Sequence, residues 1–225
     1  GEGVLKNEKE AALYIKKSYE LGNENAMLLY SKMLEIGRGI AIDKESALKN
    51  YKILADKGNI RAIIAYARML RDGDGVQCNK KESAKYYKKA ADKNDISSMF
   101  EYAKLILKEN EKEALHYLKM SADQGDVNSM ISYASILYES NCSIDKIEAI
   151  EYFKMAADKN NTDAMLYYGI CKNNQSFNKN EGNKYIRLAA KYGNANALYT
   201  YANILYNGDG VLTDKEEAAR YLKSS

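Results

Sequence analysis

The chain lacks several residues on which whole classes of protein function depend. Its 225 residues include no proline, no tryptophan, one histidine and three cysteines. The cysteines form no Cys-x-x-Cys pair and no histidine cluster exists, so the pattern does not predict a zinc site. We interpret the missing proline as compositional bias and draw no function from it.

The single histidine and the three cysteines lie at positions that do not indicate a catalytic site. His116 shares its helical register with outward-facing charged residues, so a histidine-activated nucleophile is not expected. Cys78 and Cys142 lie between helices, whereas Cys171 shares a register with Met, Leu and Ile and is predicted to be a buried apolar residue. An odd, unpaired set of cysteines favours a reducing compartment. We predict no catalytic residue and a cytoplasmic location, and a lumenal location stays open.

The loop at residues 72–75 (DGDG) resembles the start of a calcium loop but does not continue as one. An EF-hand needs an oxygen ligand at its fifth position and glycine at its sixth, where this chain has Val76 and Gln77. No glycine-rich loop leads into a helix with the Lys-Ser/Thr pair of a phosphate site. We therefore predict no metal and no cofactor.

Charge and hydropathy exclude further classes of partner. The net charge is +3, the pI is near 8.5, and lysine and glutamate are interspersed along the predicted helices. This pattern indicates solvated helix surfaces rather than a nucleic-acid interface. No apolar run approaches the roughly 18 residues of a membrane span, and no signal-peptide pattern is present.

The chain is organised by a helix–loop–helix unit, seen most clearly at residues 61–95. In each copy a small residue opens the first helix, a tyrosine follows four residues later, and another small residue comes next. The tyrosines of this register are Tyr30, Tyr66, Tyr102, Tyr133, Tyr168 and Tyr201. Short amphipathic helices bury their apolar faces by stacking on neighbouring units. We predict a single array with a half repeat at 8–23 and repeats at 25–59, 61–95, 97–126, 128–160, 163–193 and 196–225.

The second helices repeat as well. Each has a small residue and, three positions later, a larger one. The small residues are Ala11, Ala47, Ser83, Ala114, Ala149, Gly182 and Ala218. The larger residues are Tyr14, Asn50, Tyr86, Tyr117, Tyr152, Tyr185 and Tyr221. Small and large residues in register are what close helix packing requires, so we predict that these positions face inwards.

These residues resemble a known family. Residues 197–211 (ALYTYANILYNGDGV) and 215–222 (KEEAARYL) are similar to a Sel-one-like repeat (SLR), as are 37–40 with 54–58 and 73–76 with 90–93. The resemblance implies an all-α, right-handed superhelical solenoid related to tetratricopeptide repeats, acting as a non-catalytic protein–protein interaction scaffold or adaptor. One departure is systematic: the first helices have Tyr-small then Leu in place of the usual Leu-Gly then Tyr, which resembles repeats of protist proteins.

The resemblance leaves two alternatives open. One is a lumenal, glycosylated quality-control adaptor, for which the sequons at Asn141, Asn160 and Asn174 are weak support. The other is the regulatory repeat region of a multidomain signalling enzyme such as a kinase. Because the chain opens ahead of a second helix and stops inside one, we expect a fragment of a longer protein.

The third, fourth and fifth repeats depart from the pattern. The third and fourth lack the Gly-x-Gly loop. In the fifth, Lys172 replaces an apolar residue, and Gly182 stands inside a helix at a cost of about 1 kcal/mol relative to Ala. Phe177 follows a polar connector and is predicted to take the place of the missing loop valine. We interpret this repeat as a weak joint, the alternative being a place where a partner approaches.

In solenoids of this kind the first helices line a groove, and their variable positions are the candidates for partner binding. The positions three and six residues after each small opener are Leu29, Lys32, Ala65, Arg68, Glu101, Lys104, Ser132, Ser135, Tyr167, Ile170, Thr200 and Asn203. Lys32, Arg68 and Lys104 form a basic ladder that suits an acidic or phosphorylated peptide. The alternative is that these cations are an ordinary solvated surface. The oligomeric state is not predicted.

Overall fold

The computed structural model describes residues 7–140, 142–175 and 179–224, and these are built from α-helices without a β-strand. The thirteen helices of the described residues are α1 (Glu8–Glu20), α2 (Glu24–Ile36), α3 (Lys44–Asp56), α4 (Ile60–Asp72), α5 (Lys80–Ala91), α6 (Ile96–Ile106), α7 (Glu111–Asp123), α8 (Val127–Glu139), α9 (Ser143–Asp158), α10 (Thr162–Asn174), α11 (Lys179–Lys191), α12 (Ala195–Asn207) and α13 (Lys215–Ser224). None of them has both the length and the apolar character that a membrane crossing needs. The predicted all-α repeat architecture is confirmed.

The helices belong to two compact units. Unit 1 ends at Tyr117 and unit 2 begins at Leu118, within α7. In unit 1 each helix from α1 to α6 packs on its neighbour in the chain, and in unit 2 the same holds from α8 to α13. Each predicted repeat span holds one helix pair, whose first helix begins one residue before the predicted start.

The first helices begin with an asparagine or aspartate whose side chain accepts a hydrogen bond from the amide of the small opener. At α4, for example, Oδ1 of Asn59 accepts from the backbone N–H of Ala62 at 3.1 Å. The other caps of this kind are Asn23, Asp95, Asp126, Asn161 and Asn194. These caps satisfy an otherwise unpaired backbone donor at the start of each first helix.

The repeated tyrosines form the contact between the two helices of a repeat. The rings of Tyr66 and Tyr86 meet edge to face with centroids 4.6 Å apart. The same arrangement joins Tyr102 to Tyr117, Tyr133 to Tyr152, Tyr168 to Tyr185 and Tyr201 to Tyr221. In the first repeat Asn50 stands in place of the second ring, and Tyr30 stacks on Tyr19 of α1 at 5.6 Å instead. The inward prediction is confirmed for these pairs.

The predicted register is wrong in α1. Ala12 is buried rather than Ala11, and Tyr14 is 62% exposed. In full repeats the corresponding tyrosine packs on the first helix of its own repeat, as Tyr86 does. Within the described residues no such helix precedes α1, so the helix buries the face that meets α2 instead.

The loops after α2, α4 and α12 hold neighbouring repeats in register. In the second repeat Gly75 has φ +78°, and a Cβ atom there would overlap the Cβ of Lys44, the first residue of α3. The Lys44 ammonium group forms an ion pair with Asp74 in the same loop. Glycine is therefore required both for its backbone conformation and for the close approach of α3.

Candidate functional site

The predicted groove residues all lie on first helices, and none of them is fully buried. The structure brings four together around one pocket of unit 1, namely Leu29, Lys32, Ala65 and Arg68. Glu101 and Lys104 lie on α6 of the same unit, and the remaining six lie on α8, α10 and α12 of unit 2.

The pocket lies between α2 and α4, with Tyr51 of α3 in its lining, and has a volume of about 670 Å³. This size is within the range of ordinary ligand sites. Leu28 and Leu29 of α2 and Ile64 and Ala65 of α4 give it an apolar middle. Leu29 is 48% exposed, which is a large exposed fraction for an apolar side chain in contact with a cavity.

Charged groups lie at both ends of this apolar middle. Arg61 is at the start of α4, and Arg68 is two turns further along the same helix. Arg68 forms an ion pair with Glu35 of α2, one turn beyond Lys32. Lys32 therefore lies at the same end of the pocket as Arg68, opposite Arg61.

Glu35, the one acidic residue among the described residues that line the pocket, is already bound. Glu35 accepts hydrogen bonds from Arg68 and, at 2.9 Å, from the hydroxyl of Tyr51. Burial first, and then the nearby charge of Glu35, raise the pKa of Tyr51 above its ordinary value. By contrast, Lys32 and Arg61 have no ion pair or hydrogen bond with any residue that the structure describes.

The three cations of the predicted ladder are not equivalent. Arg68 is paired with Glu35 as described above. The ammonium group of Lys104 lies 3.8 Å from Glu101 and 4.9 Å from the centre of the Phe100 ring. Over residues 7–140, Lys32 alone of the three has no acidic partner.

The position of Ala65, three residues after the small opener, carries different kinds of side chain in other repeats. Tyr167 of α10 occupies the register position of Ala65, and its ring lies 5.4 Å from that of Phe153, the counterpart of Tyr51. In unit 2 an aromatic ring in contact with Phe153 thus stands where Ala65 has only a methyl group. At the same position of α6, Glu101 accepts a hydrogen bond from Arg71 at 2.7 Å.

The other predicted positions of unit 2 are uncharged and half-buried. They are Ser132, Ser135, Ile170, Thr200 and Asn203. The hydroxyl of Thr200 donates to the backbone oxygen of Asn196 at 2.7 Å and so is engaged within its own helix. These residues offer a neutral surface with no charge to attract an ionic ligand.

The fifth repeat deviates because its helices come close together. A Cβ atom on Gly182 would lie 2.5 Å from the backbone oxygen of Gly169 and would overlap Oδ1 of Asn173. The Asn173 amide donates to buried Asn183 at 2.8 Å. This contact argues against interpreting Gly182 as a weak point. Phe177, predicted to replace the loop valine, lies outside the described residues.

None of the reactive side chains discussed above is among the described residues that line the pocket. Cys171 is buried, as predicted, and burial raises the pKa of its thiol to about 11. His116 is exposed, as predicted, with its ring 5.5 Å from that of Tyr117. Cys78 and Cys142 are exposed and free. In the described ranges no group of three or more His, Cys, Asp or Glu side chains is arranged to hold a metal ion.

Sequence reasoning missed several pocket residues, above all Arg61 and Glu35. The prediction considered only positions three and six residues after the small opener. Arg61 precedes the opener Ala62 and is spaced four and seven residues from Ala65 and Arg68, so helical periodicity places all three on one face. That spacing was a signal by which Arg61 could have been found.

Comparison with known proteins agrees with this architecture. The family model "Sel1 repeat" matches residues 1–23, 25–59, 60–95, 97–126, 128–161 and 195–225, leaving out the whole of the deviant fifth repeat. No curated protein matches the chain. Proteins of this family are generally protein-interaction scaffolds and typically non-catalytic.

Solved structures of bacterial proteins share the fold. A protective antigen of uropathogenic Escherichia coli with an SLR fold has 24% identity and a TM-score of 0.79 over 98% of this chain and 49% of its own. The chain thus spans about half of that protein. A Sel1 repeat protein from Oxalobacter formigenes has 21% identity and a TM-score of 0.72 over 98% of this chain and 97% of its own. Neither supports a particular affinity to protist repeats. With most of its length matched by the family model, the chain belongs to the Sel1 repeat family.

Proposed function

We propose that this protein is a non-catalytic scaffold that binds a segment of a partner protein between its first helices, at the pocket between α2 and α4. The observation that supports this proposal is the open, partly apolar space next to Ala65, with two cations that have no partner in the described residues. A scaffold needs such an unfilled surface, because a partner gains affinity mainly by burying apolar groups in a preformed depression.

The openness of the pocket favours a peptide as its ligand over a small metabolite. Its walls are two parallel rows of side chains from successive repeats, and it is open to solvent along Leu29 and Lys32. An open site between two helices suits a chain segment that enters and leaves on either side. No nucleophile and base pair lies among the lining residues, so we propose binding without chemistry.

The proposal is tested by selecting peptides from a random display library with the purified protein. Selected peptides are then titrated against the wild type and against Ala65→Tyr. This variant carries at position 65 the residue found at the equivalent position 167. The matched control is Lys85→Tyr, which adds the same ring to an exposed position of α5. Circular dichroism and thermal unfolding establish that both variants keep their helices.

We expect Ala65→Tyr to abolish binding of the selected peptides and Lys85→Tyr to leave it unchanged. Equal binding by all three proteins would place the interaction elsewhere and contradict the proposal. Failure of the wild type to select any peptide would contradict it as well, because a preformed site needs no further component.

We also propose a reducing compartment, since the cysteines are free and Cys171 is buried. The lumenal alternative depends on the sequons. Asn160 and Asn174 are exposed, whereas Asn141 lies outside the described residues. A mass shift after glycosidase treatment of protein from its native host would support the lumenal alternative, and an unmodified mass would remove it.

A further inference from the structure

We propose that the pocket selects an extended peptide segment with two acidic residues three positions apart and apolar residues between them. One carboxylate binds Arg61 and the other binds Lys32. This inference rests on the proposed function and adds the chemistry of the partner.

The charge of the pocket is the first argument. Its lining contains Lys32, Arg61 and Arg68 against a single acidic residue, Glu35. Because Arg68 and Glu35 are bound to each other, the charges left for a ligand are those of Lys32 and Arg61. A ligand with two carboxylates satisfies both, and charge-assisted hydrogen bonds of this kind are stronger than those between neutral groups.

The distance between the charges is the second argument. Arg61 and Arg68 are seven residues apart on α4, which corresponds to roughly 10 Å along a helix axis. Lys32 lies at the Arg68 end, as its neighbour Glu35 shows. An extended chain rises by about 3.3 Å per residue, so residues three positions apart span roughly the same 10 Å. Along the direction of the helices, the spacing of Arg61 and Lys32 thus fits acidic residues at positions i and i+3.

The placement of the cations favours an extended segment over a helix. Lys32 lies on α2 and Arg61 on α4, so the two cations belong to different walls of the pocket. Side chains of an extended segment alternate between opposite faces, so a single segment can present groups to both walls. A helix with its side chains is about 10–12 Å across and lays one face into a groove. An extended segment therefore suits the pocket better, and one of its side chains can point at Ala65.

The apolar middle of the pocket is a further argument for the chemistry of the ligand. Leu28, Leu29, Ile64 and Ala65 lie between the two charged ends. Apolar side chains between the two acidic residues of the ligand would cover these groups, which a purely acidic peptide would leave exposed to water. We therefore expect binding to need both the two carboxylates and an apolar centre.

The proposal is tested with four fluorescein-labelled synthetic peptides and anisotropy titration. They share Gly-Ser flanks and contain Glu-Leu-Leu-Glu, Gln-Leu-Leu-Gln, Glu-Ser-Ser-Glu, or two glutamates seven positions apart in an alanine-rich helical sequence. The protein variants are Arg61→Ala and Lys32→Ala. Lys104→Ala is the matched control, since Lys104 lies outside the pocket and close to Glu101.

We expect Glu-Leu-Leu-Glu to bind most tightly, with about a tenfold loss for each of Arg61→Ala and Lys32→Ala and no change for Lys104→Ala. Peptides with a single Glu→Gln change assign the ends. Each such change should matter in the wild type and lose its effect when the cation facing that end is removed.

Two results would overturn this inference while the proposed function stands. In the first, Ala65→Tyr abolishes binding of library peptides, yet Gln-Leu-Leu-Gln binds as tightly as Glu-Leu-Leu-Glu. In the second, the helical peptide with glutamates seven positions apart binds more tightly. If none of the four peptides binds, this inference fails, and the library selection alone then decides the proposed function.

Discussion

The hydroxyl of Tyr66 donates a hydrogen bond of 3.0 Å to Oε1 of Glu82, the third residue of α5. The same tyrosine-to-glutamate bond recurs in other repeats, joining Tyr102 to Glu113, Tyr133 to Glu148 and Tyr168 to Glu181. In the first repeat Ser46 takes the place of the glutamate, and the hydroxyl of Tyr30 has no partner in the described residues. The repeated tyrosine therefore fills the core with its ring and ties its hydroxyl to the start of the second helix.

Because Tyr66 has this hydrogen bond and Tyr30 does not, a Tyr→Phe substitution should lower the free energy of unfolding by different amounts at the two positions. Tyr66→Phe should lower the free energy of unfolding by about 1–2 kcal/mol, because a hydrogen bond to a charged acceptor is lost. Tyr30→Phe should change it little. Urea titration followed by circular dichroism measures both. Equal effects of the two substitutions would mean that the hydrogen bond to the glutamate does not contribute to stability and that only the ring of the repeated tyrosine does.

For Gly182→Ala, helix propensity and helix packing predict opposite effects on stability. Helix propensity predicts that Gly182→Ala stabilises the protein by about 1 kcal/mol. The approach of α10 to α11 predicts the reverse, because the added methyl group would collide with Asn173 and Gly169. We expect a loss of at least about 1 kcal/mol by thermal unfolding. Lys184→Ala, at an exposed position of the same helix, is the control and should be close to neutral.

The loop ion pair occurs in both polarities. Lys44 pairs with Asp74, whereas at the equivalent positions one repeat earlier Glu8 pairs with Arg38 at 3.1 Å. Lys44→Glu should therefore destabilise the protein by a few tenths to about 1 kcal/mol, as expected for a partly exposed pair.

The double variant Lys44→Glu/Asp74→Arg should recover most of that loss, since the reversed pair is already accommodated elsewhere in the fold. A double-mutant cycle with Asp74→Arg alone measures the coupling. A coupling energy of zero would show that the ion pair between the loop and α3 does not stabilise the protein.

Tyrosine ionisation should limit stability at high pH. Burial raises the pKa of Tyr87 to about 12. Burial and the hydrogen bond to Asp92 raise the pKa of Tyr117 to about 12 as well. A raised folded-state pKa favours the folded protein below the ordinary value of 10.0. That stability is lost as the pH rises from there towards 12, because the unfolded chain ionises first.

Circular dichroism and tyrosinate absorbance, followed together from pH 9 to about 12, check this expectation. Unfolding should accompany ionisation of the buried tyrosines. Tyr87→Phe removes one of these groups and should make the loss of stability with pH less steep. An unchanged profile would show that other groups cause the alkaline transition.

Much of the architecture was accessible from the sequence, because it depends on local spacing. The tyrosine four residues after each small opener falls on the inner helix face in every full repeat, and the register that predicted a buried Cys171 is equally local. At α1, before which the described residues contain no helix, the same spacing misleads. In α1 it indicated Ala11 and Tyr14, although Ala12 is the buried residue.

The sequence by itself determined the repeat, its helices and the residues that face inwards, since helical periodicity and end-capping act within a few residues. Only the tertiary structure decided that Gly182 is a close contact. It alone showed that Arg68 is paired with Glu35, that Ala65 lines an open pocket and that Tyr167 contacts the ring of Phe153. The physical reason is that these properties depend on which side chains of different helices meet, and such distances are set by the packing of whole repeats.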